Sequence, residues 1–94
     1  MDINKIKSYI GFAIKSGQVI YGLDNIEVYH KKIHLILVSN TISNNSLEKV
    51  QNLANQRNLD ILCLMDSIEN ITQRKNCKIL AITNFELAKA IKNS

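Results

Sequence analysis

Ninety-four residues, 46% of them hydrophobic and 21% charged, suit one small domain built on one core across residues 1–94. Two cysteines are too few for a disulfide framework, no apolar run reaches the length of a membrane span, and the N-terminus lacks a signal-peptide pattern. The net charge of +4 favours polyanionic partners, because each Lys near a phosphate chain releases counterions.

The pattern along the chain alternates between helical and strand periods. Ile3, Ile6, Ile10 and Ala13 recur at helical spacing, and Gly17 ends that helix as a C-cap glycine. "QVI" predicts a very short strand. A second helix starts around Gly22 to Asp24, with Leu23, Ile26 and Tyr29 or His30 on one face. "IHLILV", Ile33 to Val38, reads as a buried strand. "SNTISNNS" is a loop in which Ser43 or Asn44 caps a third helix bearing Leu47, Val50, Leu53 and Ala54. "DILCLM" is a second buried strand, Ser67 caps a short helix with Ile68 and Ile71, and "CKILAIT" is a third buried strand. Asn84 caps a last helix with Phe85, Ala88 and Ile91 on its inner face. Helices alternating with strands that are apolar on both faces predict an α/β fold, a three-layer α/β/α sandwich. The period alone suggests a largely parallel sheet.

Motifs for catalysis are weak. Gly17 and Gly22 have the spacing of a phosphate-binding loop, but Leu23 and Asp24 stand where Lys and Ser or Thr are needed, and Asp24 repels phosphate. His30 and His34 are four apart but fall on different predicted elements and lack a third ligand, so no metal is expected. Cys63 and Cys77 lie mid-strand in apolar sequence and read as small buried hydrophobes of a reduced, cytoplasmic protein. The carboxylates form no spaced pair. The aromatics Tyr9, Phe12, Tyr21, Tyr29 and Phe85 are scattered, mostly on core-facing positions, and make no base-stacking platform. Basic residues do gather: Lys31 and Lys32 after the second helix, and Arg74, Lys75 and Lys78 before the last strand.

The order of these elements, with the strings "GFAIKSGQVIYG", "LILVSNTISNNSLEKV" and "ILAITNFELAKAI", resembles the L-seven-Ae / L-thirty-e ribosomal protein superfamily of kink-turn RNA binders. Its short bacterial YlxQ-like branch is the most similar. The resemblance spans nearly the whole chain and rests on the ordered set, not on one diagnostic motif. It implies an L-thirty-e-like sandwich with a mixed, mainly four-stranded sheet and a non-catalytic, cofactor-free function in ribonucleoprotein. The implied partner is structured RNA, of the ribosome or elsewhere, with neither DNA nor membrane. It also implies two RNA-contacting parts: the start of the second helix and the loop after the strand at 60–65.

The family's Gly-x-Asn-Glu-x-x-Lys falls on Gly22, Asp24, Asn25 and Val28, so only the Gly is kept, and Lys31 or Lys32 would have to replace the missing Lys from a turn further on. The second loop falls on Met65, Asp66 and Ser67 and lacks the usual basic residue. The following Leu-Gly-x-Ala-x-Gly-Lys run falls on Ile68 to Arg74, keeping the apolar positions and the terminal base but neither glycine. The expected RNA-contacting set is therefore Gly22, Leu23, Asp24, Asn25, Lys31, Lys32, Asn40, Met65, Asp66, Ser67, Arg74 and Lys75. A protein–protein interaction module on the same fold, with a degenerate RNA surface, is the alternative. An enzyme or small-ligand binder is the third reading.

Overall fold

The computed structural model describes residues 2–94. Helix α1 (Ile3–Lys15) begins at Asp2, whose carboxylate accepts from the backbone N–H of Asn4 at 3.1 Å and of Lys5 at 3.3 Å. It ends in a Schellman turn. Gly17 N–H donates to Ile14 O at 3.1 Å and Gln18 N–H to Ala13 O at 2.9 Å, with Gly17 at φ +69°. Strand β1 (Val19–Tyr21) follows, then helix α2 (Leu23–Val28), β2 (Leu35–Val38), α3 (Asn44–Arg57) and β3 (Ile61–Cys63). Helix α4 (Ile68–Thr72), β4 (Ile79–Ile82) and α5 (Phe85–Lys92) complete the order. Ser43, Ser67 and Asn84 cap α3, α4 and α5, each side-chain oxygen accepting from an N–H of the first turn. Helix α2 is shorter than the sequence suggests: Tyr29 is already extended, at φ −77° and ψ 121°, and His30 lies in the loop beyond it.

The sheet is mixed, in the order β1-β4-β2-β3. Only β2 and β3 are parallel. Strand β4 runs antiparallel to both its neighbours, with Val38 opposite Ile79 and Tyr21 opposite Leu80. This corrects the largely parallel sheet read from strand hydrophobicity. Strands apolar on both faces report cover on both faces, whichever way the strands run. Direction is set by the connections. The 14 residues of α3 rise about 21 Å, enough to return the chain to the starting end of the sheet for a parallel β3. The five residues of α4 rise only about 8 Å. The chain therefore re-enters the sheet at the end where β3 finished and runs back.

Cover on the two faces comes from different helices. On one, Ile6, Ile10 and Ala13 of α1, Ile68 of α4 and Ala88 and Ile91 of α5 pack on Leu35, Leu37, Leu80 and Ile82. On the other, Ile26 of α2 and Val50, Leu53 and Ala54 of α3 pack on Ile36, Val38, Ile79 and Ala81. The α/β/α sandwich is thus present, with β2 and β4 fully buried and β1 and β3 as half-covered edges. No helix among the described residues is long and apolar enough to cross a membrane.

Two burial expectations change. Cys77 is buried, and desolvation pushes its thiol pKa up, but Cys63 is exposed because it ends the edge strand β3. Phe12 and Phe85 are also exposed, at 62% and 58%, whereas Tyr9, Tyr21 and Tyr29 pack against the two cores.

Candidate nucleic-acid interface

The strand directions decide which loops meet. β1, β2 and β3 finish, and β4 starts, at one end of the sheet. Gly22 to Asn25, Asn40, Met65 to Ser67, and Arg74 with Lys75 all leave the sheet at this end. Four segments far apart in sequence therefore form one loop surface.

Hydrogen bonds tie that surface together. Asn40 Nδ2 donates to Met65 O at 3.2 Å, joining the loops after β2 and β3. The buried Ser39 hydroxyl accepts from Ile68 N–H at 3.3 Å and pairs with Thr41 Oγ1 at 2.8 Å. Lys78 Nζ reaches Thr41 Oγ1 at 3.1 Å and Glu69 at 3.4 Å, and the other oxygen of Glu69 accepts from Asn76 N–H at 3.1 Å. The Arg74 guanidinium lies 3.8 Å from the centre of the Tyr21 ring, fixing the loop before β4 against the end of β1.

The expected residues divide by role. Gly22 opens α2 at φ +82° and ψ 152°, a backbone region that is essentially glycine's alone. Asp24 is exposed and makes no ion pair among the described residues. Asn25 is exposed, its Nδ2 donating to Tyr21 O at 2.8 Å. Met65 is 73% exposed, and Lys75 is exposed beside the stacked Arg74.

Three others serve the fold. Leu23 packs against the core under α2 and α3. Ser67 is buried, its hydroxyl accepting from Asn70 N–H at 3.1 Å. Asp66 binds Lys7 of α1 at 2.9 Å and accepts from Ser67 N–H at 2.8 Å and Asn70 Nδ2 at 3.2 Å. Lys31 and Lys32 are not at this end at all. They precede β2 and so sit at the opposite end of the sheet, where they cannot replace a lysine missing from the second turn of α2. The sequence gives no hint of Tyr21, Lys7 or Glu69 in this arrangement, because each acts across a tertiary contact.

The Asp66 carboxyl is held at about 2, chiefly by Lys7, then by Asn70 and the Ser67 N–H, all of which favour the charged form. A depressed folded pKa means that this contribution to stability is complete above the ordinary value of 3.8 and is lost as pH falls through about 2. Carboxyl NMR titration should therefore find Asp66 still ionised at pH 3, and Lys7→Ala should move its midpoint up toward 3.8. A midpoint near 3.8 in the unaltered protein would contradict the tether between α1 and the loop.

No family model matches the chain, and no curated protein matches it. Among solved structures, a protein with unknown function from Bacillus halodurans C superposes with a TM-score of 0.84 at 11% sequence identity. The match covers 95% of this chain and 94% of that one, so the two share one fold from end to end.

Proposed function

We propose that the protein is a non-catalytic, cytoplasmic binder of structured RNA, ribosomal or other, which grips a kinked RNA with the loop end of its sheet. The observation that supports this is convergence. Gly22 to Asn25, Met65 and the Arg74–Lys75 pair, far apart in sequence, share one surface on which Asp24, Asn25, Met65 and Lys75 are exposed. An exposed thioether suits an unstacked base, exposed amide and carboxylate groups suit base edges, and Lys75 suits a phosphate. The carboxylates Asp66 and Glu69 are committed to lysines, which leaves Asp24 as the exposed acid of this end with no ion pair among the described residues. The alternative, a protein-docking module, needs one exposed apolar patch. Of the large apolar side chains that are exposed, Met65 stands at the loop end, while Phe12, Val28 and Phe85 stand at the opposite end, Val28 on the other face of the sheet from the two phenylalanines.

The test is a titration with a kink-turn RNA and a straight duplex of equal length at one salt concentration. The kink-turn is expected to bind about tenfold tighter or better, the advantage growing from contacts that only splayed bases can make. Equal affinity for both would leave charge attraction alone and reject the reading.

A further inference from the structure

The strongest concentration of charge lies elsewhere, at the end of the sheet opposite the loop surface. A cleft of about 760 Å³ opens there between the segment before β2, the turn after α3, and α5. Lys31, Lys32, Arg57, Lys89 and Lys92 line it against a single carboxylate, Asp60. Five of the chain's twelve Lys and Arg residues and one of its eight Asp and Glu residues are therefore here. The remainder of the molecule holds seven of each sign, so the cleft accounts for the whole net charge of +4.

Not all of these cations are free. Arg57 donates to Ile26 O at 3.0 Å and Glu27 O at 2.7 Å, closing the C-terminus of α2, and Lys92 pairs with Asp60 at 2.9 Å. Lys31, Lys32 and Lys89 make no ion pair among the described residues. They stand on two separate segments of the lining, Lys31 and Lys32 before β2 and Lys89 on α5. Phe85, more than half exposed, stands in the same lining, its ring held edge-to-face with His34 at a centroid distance of 5.5 Å.

We propose that this cleft is a second binding site, for a single-stranded RNA segment, whose phosphates lie along Lys31, Lys32 and Lys89 and one of whose bases stacks on Phe85. Three cations with no ion pair among the described residues, on two segments of one open cleft, match a backbone that carries one charge per nucleotide. An aromatic face beside a basic track is the pairing that single-stranded nucleic acid uses. This proposal does not rest on the loop-end reading, since it shares no residue with it.

The experiment is fluorescence anisotropy with a labelled oligouridine of about ten nucleotides. Substituting Lys31→Gln, Lys32→Gln and Lys89→Gln together should weaken binding about tenfold or more and flatten the slope of log affinity against log salt by about two. Phe85→Ala, at a position more than half exposed, should weaken binding about fivefold or more without changing that slope. Arg74→Gln with Lys75→Gln should leave the oligomer's affinity within about twofold while reducing kink-turn binding, which keeps the two sites distinguishable. Unchanged binding by the triple-lysine variant overturns the proposal. So does equal displacement of the oligomer by polyglutamate, which would show charge without a base, or by uridine monophosphate at the same affinity, which would mark a small-molecule pocket.

Discussion

Gly22→Ala is expected to destabilise the domain by about 1–3 kcal/mol, and Gly11→Ala to stabilise it by about 1 kcal/mol. Neither new methyl group meets any atom within 4 Å, so packing does not separate the two substitutions. Backbone conformation does. Gly11 lies inside α1, where alanine is the better helix former and restricts the unfolded chain. Gly22 sits at φ +82°, where an L side chain is strained whatever the space around it. The two proteins should differ in thermal midpoint by about 10 °C or more, since a domain of this size moves roughly 4–8 °C per kcal/mol. Urea unfolding provides the check in free energy. A Gly22→Ala protein as stable as the unaltered one would mean that the entry into α2 relaxes at no cost. The loop surface would then owe nothing to this glycine.

That comparison also shows what was readable in the sequence. Gly17 and Gly22 have the spacing of a phosphate loop, yet each answers a local backbone demand, one ending α1 and one opening α2. Caps behave alike: Ser43, Ser67 and Asn84 were legible because a side-chain oxygen satisfies N–H groups within its own first turn. Tertiary consequences were not. The direction of β4 depends on α4 having too few residues to cross the sheet. Lys31 and Lys32 stand at the far end from Asp24 because β1 and β2 run the same way, so the chain must return past the sheet between them. Cys63 is exposed because β3 is an edge, and Phe85 because it begins α5 at the rim of a cleft, facts that no apolar run discloses. Of the expected RNA contacts, Leu23, Asp66 and Ser67 lie at the loop end of the sheet but serve the fold. Hydrophobic period reports burial well and reports partners poorly, since a salt bridge such as Lys7–Asp66 spans fifty-nine positions.

Asp24 is where the loop surface should respond most to one substitution. It is the exposed acidic side chain in the first turn of α2, with no cation paired to it among the described residues, whereas the neighbouring acids Asp66 and Glu69 are neutralised by lysines. A phosphate within about 5 Å of it would be repelled by about 1 kcal/mol or more, depending on local screening. Asp24→Asn removes that repulsion while keeping a hydrogen-bonding group of the same size, and should tighten kink-turn binding about three- to tenfold. Asp24→Lys adds a phosphate contact as well. It should tighten binding about tenfold or more at low salt and steepen the salt dependence by about one further counterion. The difference between the two variants should shrink as salt is raised, because the lysine's gain is the more electrostatic. Asn at this position reaching the affinity of Lys at every salt concentration would place a base edge, not a phosphate, opposite residue 24. Neither substitution moving the dissociation constant at low salt would remove the start of α2 from the contact, leaving Met65, Arg74 and Lys75 to carry it.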